Sequence, residues 1–213
     1  MAALTLLLPL SGCLKPGEIP VNNGPYIQIY YDGLLDCDVV YIGESGPMVY
    51  FQIIGNDEVD LVPYTSASQG EKKAVFDSLS KKHFDYGYYG EDPYANEIIK
   101  KCYAKDIVSF EVKSKEDFDV GHPAGTSLKD VMVYDAYTSF PWIKGGYAGD
   151  PVFSHFRMMA DLVTTDQTTL LSAINPFTLS FSQLPVLNSS IHLIITVVTD
   201  DGVIHVFEKE AHF

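Results

Sequence analysis

Ile191-His192-Leu193-Ile194-Ile195-Thr196-Val197-Val198-Thr199, then Asp200-Asp201-Gly202, then Val203-Ile204-His205-Val206-Phe207: this stretch decides the fold. Its two arms are β-branched and aromatic, the residue types that suit a pleated surface. The Asp-Gly between them supplies the positive φ angles of a tight primed turn, so the segment predicts a β-hairpin. In that hairpin His192 and His205 could face each other.

The same period continues outward. Phe177, Leu179 and Phe181 alternate with Thr178, Ser180 and Ser182. Between His155 and Leu162, Phe156, Met158, Ala160 and Leu162 take one face, and His155, Arg157, Met159 and Asp161 the other. This is the pattern of half-buried strands in antiparallel sheets with one wet face. Ile107 to Val112, Tyr26 to Tyr31 and Val39 to Ile42 are further short strands. Val49 to Ile54 and Val59 to Tyr64 flank Gly55-Asn56-Asp57-Glu58 as a second predicted hairpin. Many short strands separated by turn residues predict a mainly β (α+β) fold: an antiparallel, immunoglobulin-like β-sandwich with one or two inserted short helices. No repeat or internal linker interrupts residues 26–213, which are expected to form a single domain.

One segment breaks the strand period. Ser68-Gln69-Gly70-Glu71 is a capping-box pattern, and behind it Val75, Phe76, Leu79 and His83 share a helical face largely opposite Lys72, Lys73, Lys81 and Lys82. It predicts a helix from Gln69 to about Phe84. Asp92-Pro93 can open a second through Cys102, and a third spans Tyr137 to Lys144, where Pro141 is expected to weaken it.

The chain of 213 residues carries a net charge of -14. That acidity repels phosphate backbones and anionic lipid, so nucleic acid is an unsuitable partner. The imbalance is uneven. From Glu71 to Lys105 the seven Lys and six Asp and Glu nearly cancel, so the excess acid lies elsewhere.

Ala2 to Leu10 is an uncharged apolar run, shorter than the ~20 residues of a spanning helix but of signal-peptide length. The Leu10-Ser11-Gly12-Cys13 that follows resembles the lipobox of bacterial lipoproteins. The resemblance implies a signal peptide over residues 1–12, cleavage after Gly12, and a lipid on the Cys13 thiol that makes the membrane a partner. No Lys or Arg precedes the apolar run, a departure from that pattern. Residues 13–25, rich in Pro and Gly, form the expected tether. Leu14 is not the Asp often associated with inner-membrane retention, so the lipoprotein resemblance implies a cell-envelope location at the outer membrane.

With Cys13 lipidated, Cys37 and Cys102 remain, and the sequence leaves open a disulfide between them or two buried thiols. Asp36 and Asp38 flank Cys37 and oppose its thiolate. No catalytic residue is expected. Gly-x-Ser-x-Gly, Ser-x-x-Lys with its companions and a phosphate-cradling glycine loop are all missing from the sequence. The six histidines show no zinc spacing, and neither Glu116-Asp117-Phe118-Asp119 nor Asp57-Glu58-Val59-Asp60 has the ligand pattern of an EF-hand. No metal or other cofactor is expected.

The most unusual composition is Phe84-Asp85-Tyr86-Gly87-Tyr88-Tyr89-Gly90-Glu91-Asp92-Pro93-Tyr94. Exposed tyrosines stack on sugar rings, which makes Tyr86, Tyr88, Tyr89 and Tyr94, with Trp142, the candidate ligand-binding residues. The competing reading packs these rings into the core. Lys115 to Asp130 contains Asp117-Phe118-Asp119-Val120-Gly121-His122-Pro123-Ala124-Gly125-Thr126-Ser127-Leu128. It is similar to a segment of small uncharacterised lipoproteins of the Bacteroidota, a family with no established activity to transfer. Physically it is a Pro-Gly turn whose backbone Asp119 or His122 can bond.

Three functions follow, in this order. The first is a non-enzymatic, lipid-anchored envelope protein that contacts another envelope component. The second is a glycan-binding module using the tyrosines. The third is a hydrolase whose site the motifs do not reveal.

Overall fold

The computed structural model describes residues 24–41, 46–56, 60–64, 70–88, 100–149, 154–162, 166–174 and 176–213. Within them the strands are β1 (Ile29–Tyr31), β2 (Leu34–Tyr41), β3 (Pro47–Ile54), β4 (Leu61–Pro63), β5 (Lys101–Tyr103), β6 (Ile107–Ser114), β7 (Met132–Tyr137), β8 (Ser154–Met158), β9 (Phe177–Phe181), β10 (Ser190–Thr199) and β11 (Ile204–His212). Two α-helices join them, α1 (Glu71–Lys82) and α2 (Phe140–Lys144). The fold is mainly β, with antiparallel sheets and short helices, as the alternation predicts.

A five-stranded sheet, β2-β3-β9-β7-β8, faces a three-stranded one, β11-β10-β6. Period-2 alternation explains the joint. Ile191, Leu193, Ile195 and Val197 point from β10 into a core shared with Leu35, Cys37, Val49, Phe51, Tyr134 and Leu179 of the opposite sheet. Phe51 stacks on Phe177 at 3.9 Å, and Phe110 meets Phe177 edge-on at 4.9 Å. Each such fully buried aliphatic or Phe side chain contributes about 1.5–3 kcal/mol. Arg157, the chain's one arginine, is half-buried on edge strand β8, where a charge discourages further strand pairing.

The deciding hairpin forms, with a different turn. Among residues 200–202 only Gly202 has positive φ (82°). Thr199 N–H donates to Val203 O and Gly202 N–H to Thr199 O. This is a three-residue loop closed by a left-handed glycine rather than a primed two-residue turn. Register then pairs His192 with Glu210 and Val197 with His205, so the two histidines do not face each other.

Other expectations change. Val49–Ile54 and Val59–Tyr64 are not a hairpin: β3 pairs with β2 and β9, whereas β4 pairs with β1. Asp60 turns the chain between sheets, its carboxylate accepting Asn56 N–H at 2.6 Å. A Cβ at Gly55 would lie 2.5 Å from that carboxylate, which is why glycine stands there. The strand over His155–Leu162 stops at Met158, and a 3-10 turn follows over Met159–Asp161. Phase is lost there. Phe156 is 72% exposed while Met159 is buried, the reverse of the predicted faces.

The helix over 69–84 is shorter. It begins at Glu71 with Gly70 as N-cap, making Glu71 the first helical residue and not the third as the capping box requires. Ser68 lies outside the described residues. Its buried face is Phe76, Ser80 and His83, and Val75 is exposed. Of the second predicted helix, residues 92–99 are outside the described residues and Lys101–Tyr103 is strand β5. The third is real but confined to Phe140–Lys144. Pro141 sits in its first turn, where its missing N–H costs nothing.

A third small sheet, β4-β1-β5, has one parallel pair, β1 with β5, and builds a second core with the helices. Tyr26, Tyr30, Phe76, Cys102, Phe140 and Trp142 fill it. It lies beside the β10–β11 turn, because Asp200 N–H donates to Asp106 O just before β6. Gly24 enters at this end, its carbonyl accepting Tyr88 N–H. Loops 115–130 and 182–189 occupy the other end, where Val186 N–H donates to Phe118 O.

Candidate functional site

The end of α1 builds the helical pole. His83 N–H donates to Leu79 O, and with no glycine to follow, Phe84 takes φ 62°. Helices commonly end on a left-handed residue, and glycine is the one that adopts it without strain. The reversal puts His83 and Asp85 inside and Phe84 and Tyr86 outside, with Lys82 exposed at the helix end.

Asp85, 2% exposed, accepts Tyr26 N–H and Ile27 N–H, each at 2.8 Å, and the Tyr147 hydroxyl. Burial raises its pKa above the ordinary carboxylate range, against the opposing pull of those donors. Asp106 is the second hub. His83 Nε2 lies 3.1 Å from both its oxygens, and Lys82 Nζ bridges it to Asp200 at 2.6 Å on each side. Burial works to raise Asp106 as well, but His83 and Lys82 outweigh it and its pKa falls. Tyr30 stacks over His83 at 5.8 Å, and Phe140 meets it edge-on. Acid, histidine and lysine are therefore clustered, but His83 and Asp106 are buried and only Lys82 and Asp200 reach solvent.

Above it lies an open cleft of about 470 Å3 lined by Phe84, Tyr86, Ile143, Lys144, Gly146 and Tyr147. Tyr147, like Phe84, holds φ 62°, so two of the three described non-glycine residues with positive φ flank this cleft. Such residues cluster at ligand sites, where surrounding structure over-determines them. The Tyr147 hydroxyl is fixed to Asp85, and burial followed by that carboxylate raises its pKa. Lys144 Nζ pairs with Asp166 at 2.7 Å on the rim.

The predicted aromatic residues divide. Tyr86 is 71% exposed and in the cleft. Tyr88 and Trp142 are buried: Trp142 lies 4.9 Å from Tyr26, 5.3 Å from Tyr88 and 5.1 Å from Tyr147, so these two rings are core and not surface. Tyr89 and Tyr94 lie outside the described residues. Phe84, Lys144 and Tyr147 were not among the candidates. The available signal was His83-Phe84, a helix end without glycine, facing Gly145-Gly146-Tyr147 at another helix end.

Cys13 lies outside the described residues. Cys37 and Cys102 are buried in different cores and are not bonded to each other, so the open pairing resolves to two thiols. Burial pushes Cys37 up to about 12 and raises Cys102 further, making both poor nucleophiles.

The Pro-Gly turn at the far pole is tied to itself. Asp119 accepts the Gly121 and His122 N–H groups, and Asp117 accepts Ala124 N–H. His122 spans two carboxylates, Nδ1 at 2.8 Å from Asp119 and Nε2 at 3.1 Å from Asp130. Its bond to Asp119 leads the rise in its pKa, and Asp130 adds to it. The acidic cluster from Glu116 is likewise engaged, Glu116 pairing with His192. Of the other acidic cluster, only Asp60 is described. Among the described residues, no group of three or more potential ligands is arranged to hold a metal, and no helix is long and apolar enough to cross a membrane.

No protein-family model matches this chain, and no curated protein or solved structure matches it.

Proposed function

We propose that this protein is a non-enzymatic, lipid-anchored component of a bacterial cell envelope, held at the outer membrane through Cys13, whose β-domain binds a ligand or partner at its helical pole. The anchor rests on Leu10-Ser11-Gly12-Cys13 and the Pro- and Gly-rich residues behind it. The observation that carries binding over catalysis is the depth of the ionisable cluster. A general acid or base must come within hydrogen-bond reach of its substrate. Asp85, His83 and Asp106 sit beneath the surface, committed to backbone, lysine and tyrosine partners, while the cleft above presents mostly aromatic and aliphatic surface.

Membrane fractionation of cells expressing the full chain tests the anchor. Cys13→Ala is expected to move the protein from the membrane to the soluble fraction. Retention of the variant in the membrane would overturn the anchor.

A further inference from the structure

The cleft at the helical pole has a more specific chemistry, and the inference drawn from it rests on the binding reading above. We propose that it is a binding site for a neutral sugar ring, with Phe84 and Tyr86 as its stacking platform and the Lys144–Asp166 pair as its hydrogen-bonding rim.

Openness argues for a sugar. Phe84 is 49% exposed and Tyr86 71% exposed, so a wholly apolar ligand resting on them would leave much of its own surface in water. A pyranose has one face of C–H groups and a periphery of hydroxyls. It buries the first on an aromatic ring and keeps the second hydrated. Volume is compatible: about 470 Å3 falls among small-ligand sites, which span about 300–1,000 Å3.

Charge argues for a neutral one. Lys144, the only cation lining the cleft among the described residues, already carries Asp166 at 2.7 Å. A paired ammonium offers its remaining N–H donors to hydroxyl oxygens without presenting net charge, and the carboxylate accepts hydroxyl protons. A uronic or sulfated sugar would meet Asp166 and the overall charge of -14.

The wall is also preorganised. Tyr147 is held at its hydroxyl by Asp85, which is itself fixed by the backbone N–H groups of Tyr26 and Ile27 just before β1. Ile143 beneath is buried. Little ordering therefore remains to be supplied on binding, the usual entropic obstacle for weak carbohydrate contacts.

The test is binding of the full-length protein to neutral tetrasaccharides (maltotetraose, cellotetraose and chitotetraose), with tetragalacturonate as the anionic comparison, measured by calorimetry. At least one neutral tetrasaccharide is expected to bind, more tightly than tetragalacturonate. Tyr86→Ala removes an exposed ring and Phe84→Gly places glycine where φ is already positive, so both variants keep the fold, as circular dichroism would verify. Each is expected to weaken binding about tenfold or more. No binding by any neutral sugar, preference for the anionic one, or binding unchanged in both variants would overturn the proposal. The binding here is read in solution and does not depend on Cys13, so its failure and that of the anchor are separable.

Discussion

The sandwich and the helical pole stabilise the same chain by opposite means. In the sandwich, alternating aliphatic and aromatic residues meet across two sheets, and Phe51, Phe177, Ile195 and Val197 need no polar partner. At the helical pole, Tyr30, Phe76 and Trp142 enclose carboxylates that only specific donors make tolerable. An apolar core is insensitive to which neighbour fills a gap, provided volume is kept. A core containing Asp85 and Asp106 fixes the groups that bond those carboxylates, Tyr26, Ile27, Tyr147, Lys82 and His83, because leaving a buried carboxylate unmet costs about 1–3 kcal/mol or more. The second arrangement holds the cleft walls in place; the first supplies the frame.

That contrast predicts a graded response. Phe177→Ala should cost about 3–5 kcal/mol in urea denaturation, equally at pH 4 and pH 8, since no titrating group is involved. A marked pH dependence of this loss would break the contrast. Asp106→Ala should cost about 3 kcal/mol at pH 7, from a buried pair broken on one side. Its pKa is lowered in the folded state. The stabilisation is therefore present above the unfolded carboxylate value of ~3.9 and is lost as pH falls through the folded one, where wild type and variant should converge.

Legibility followed the same division. The sandwich was readable because period-2 alternation reports which face is buried, and β10 keeps it over ten residues. It misled where a single local event shifted the phase, as the 3-10 turn at Met159 does to Phe156. Turn type was missed at Asp200–Gly202 because Asp-Gly suits both a primed turn and a three-residue loop. The helical pole was only half legible. The near-neutral charge of 71–105 and the run of tyrosines marked a segment that supplies Phe84 and Tyr86 to the cleft, yet nothing local distinguishes exposed Tyr86 from buried Tyr88. That difference arises from Trp142 and Tyr147, far along the chain.

Smaller effects sharpen the comparison at the far pole. His122 has a raised pKa, so its clamp on Asp119 and Asp130 contributes fully below the unfolded value of ~6.5 and fades as pH rises through the folded one. His122→Gln should cost less than about 1 kcal/mol, and only at the acidic side of that window, as read from stability against pH. A constant cost from pH 5 to 9 would count against an electrostatic clamp. Val186→Asp, at a residue 81% exposed, should change stability by less than about 0.5 kcal/mol.

The central claim, that recognition belongs to the helical pole and the sandwich only carries it, is tested most directly by NMR titration of the isotope-labelled protein with whichever neutral tetrasaccharide binds. The account predicts amide shifts confined to Phe84, Tyr86, Lys144, Gly146, Tyr147 and their immediate neighbours. Shifts centred on the outer face of β10 and β11, or on the loops around His122 and Val186, would contradict it.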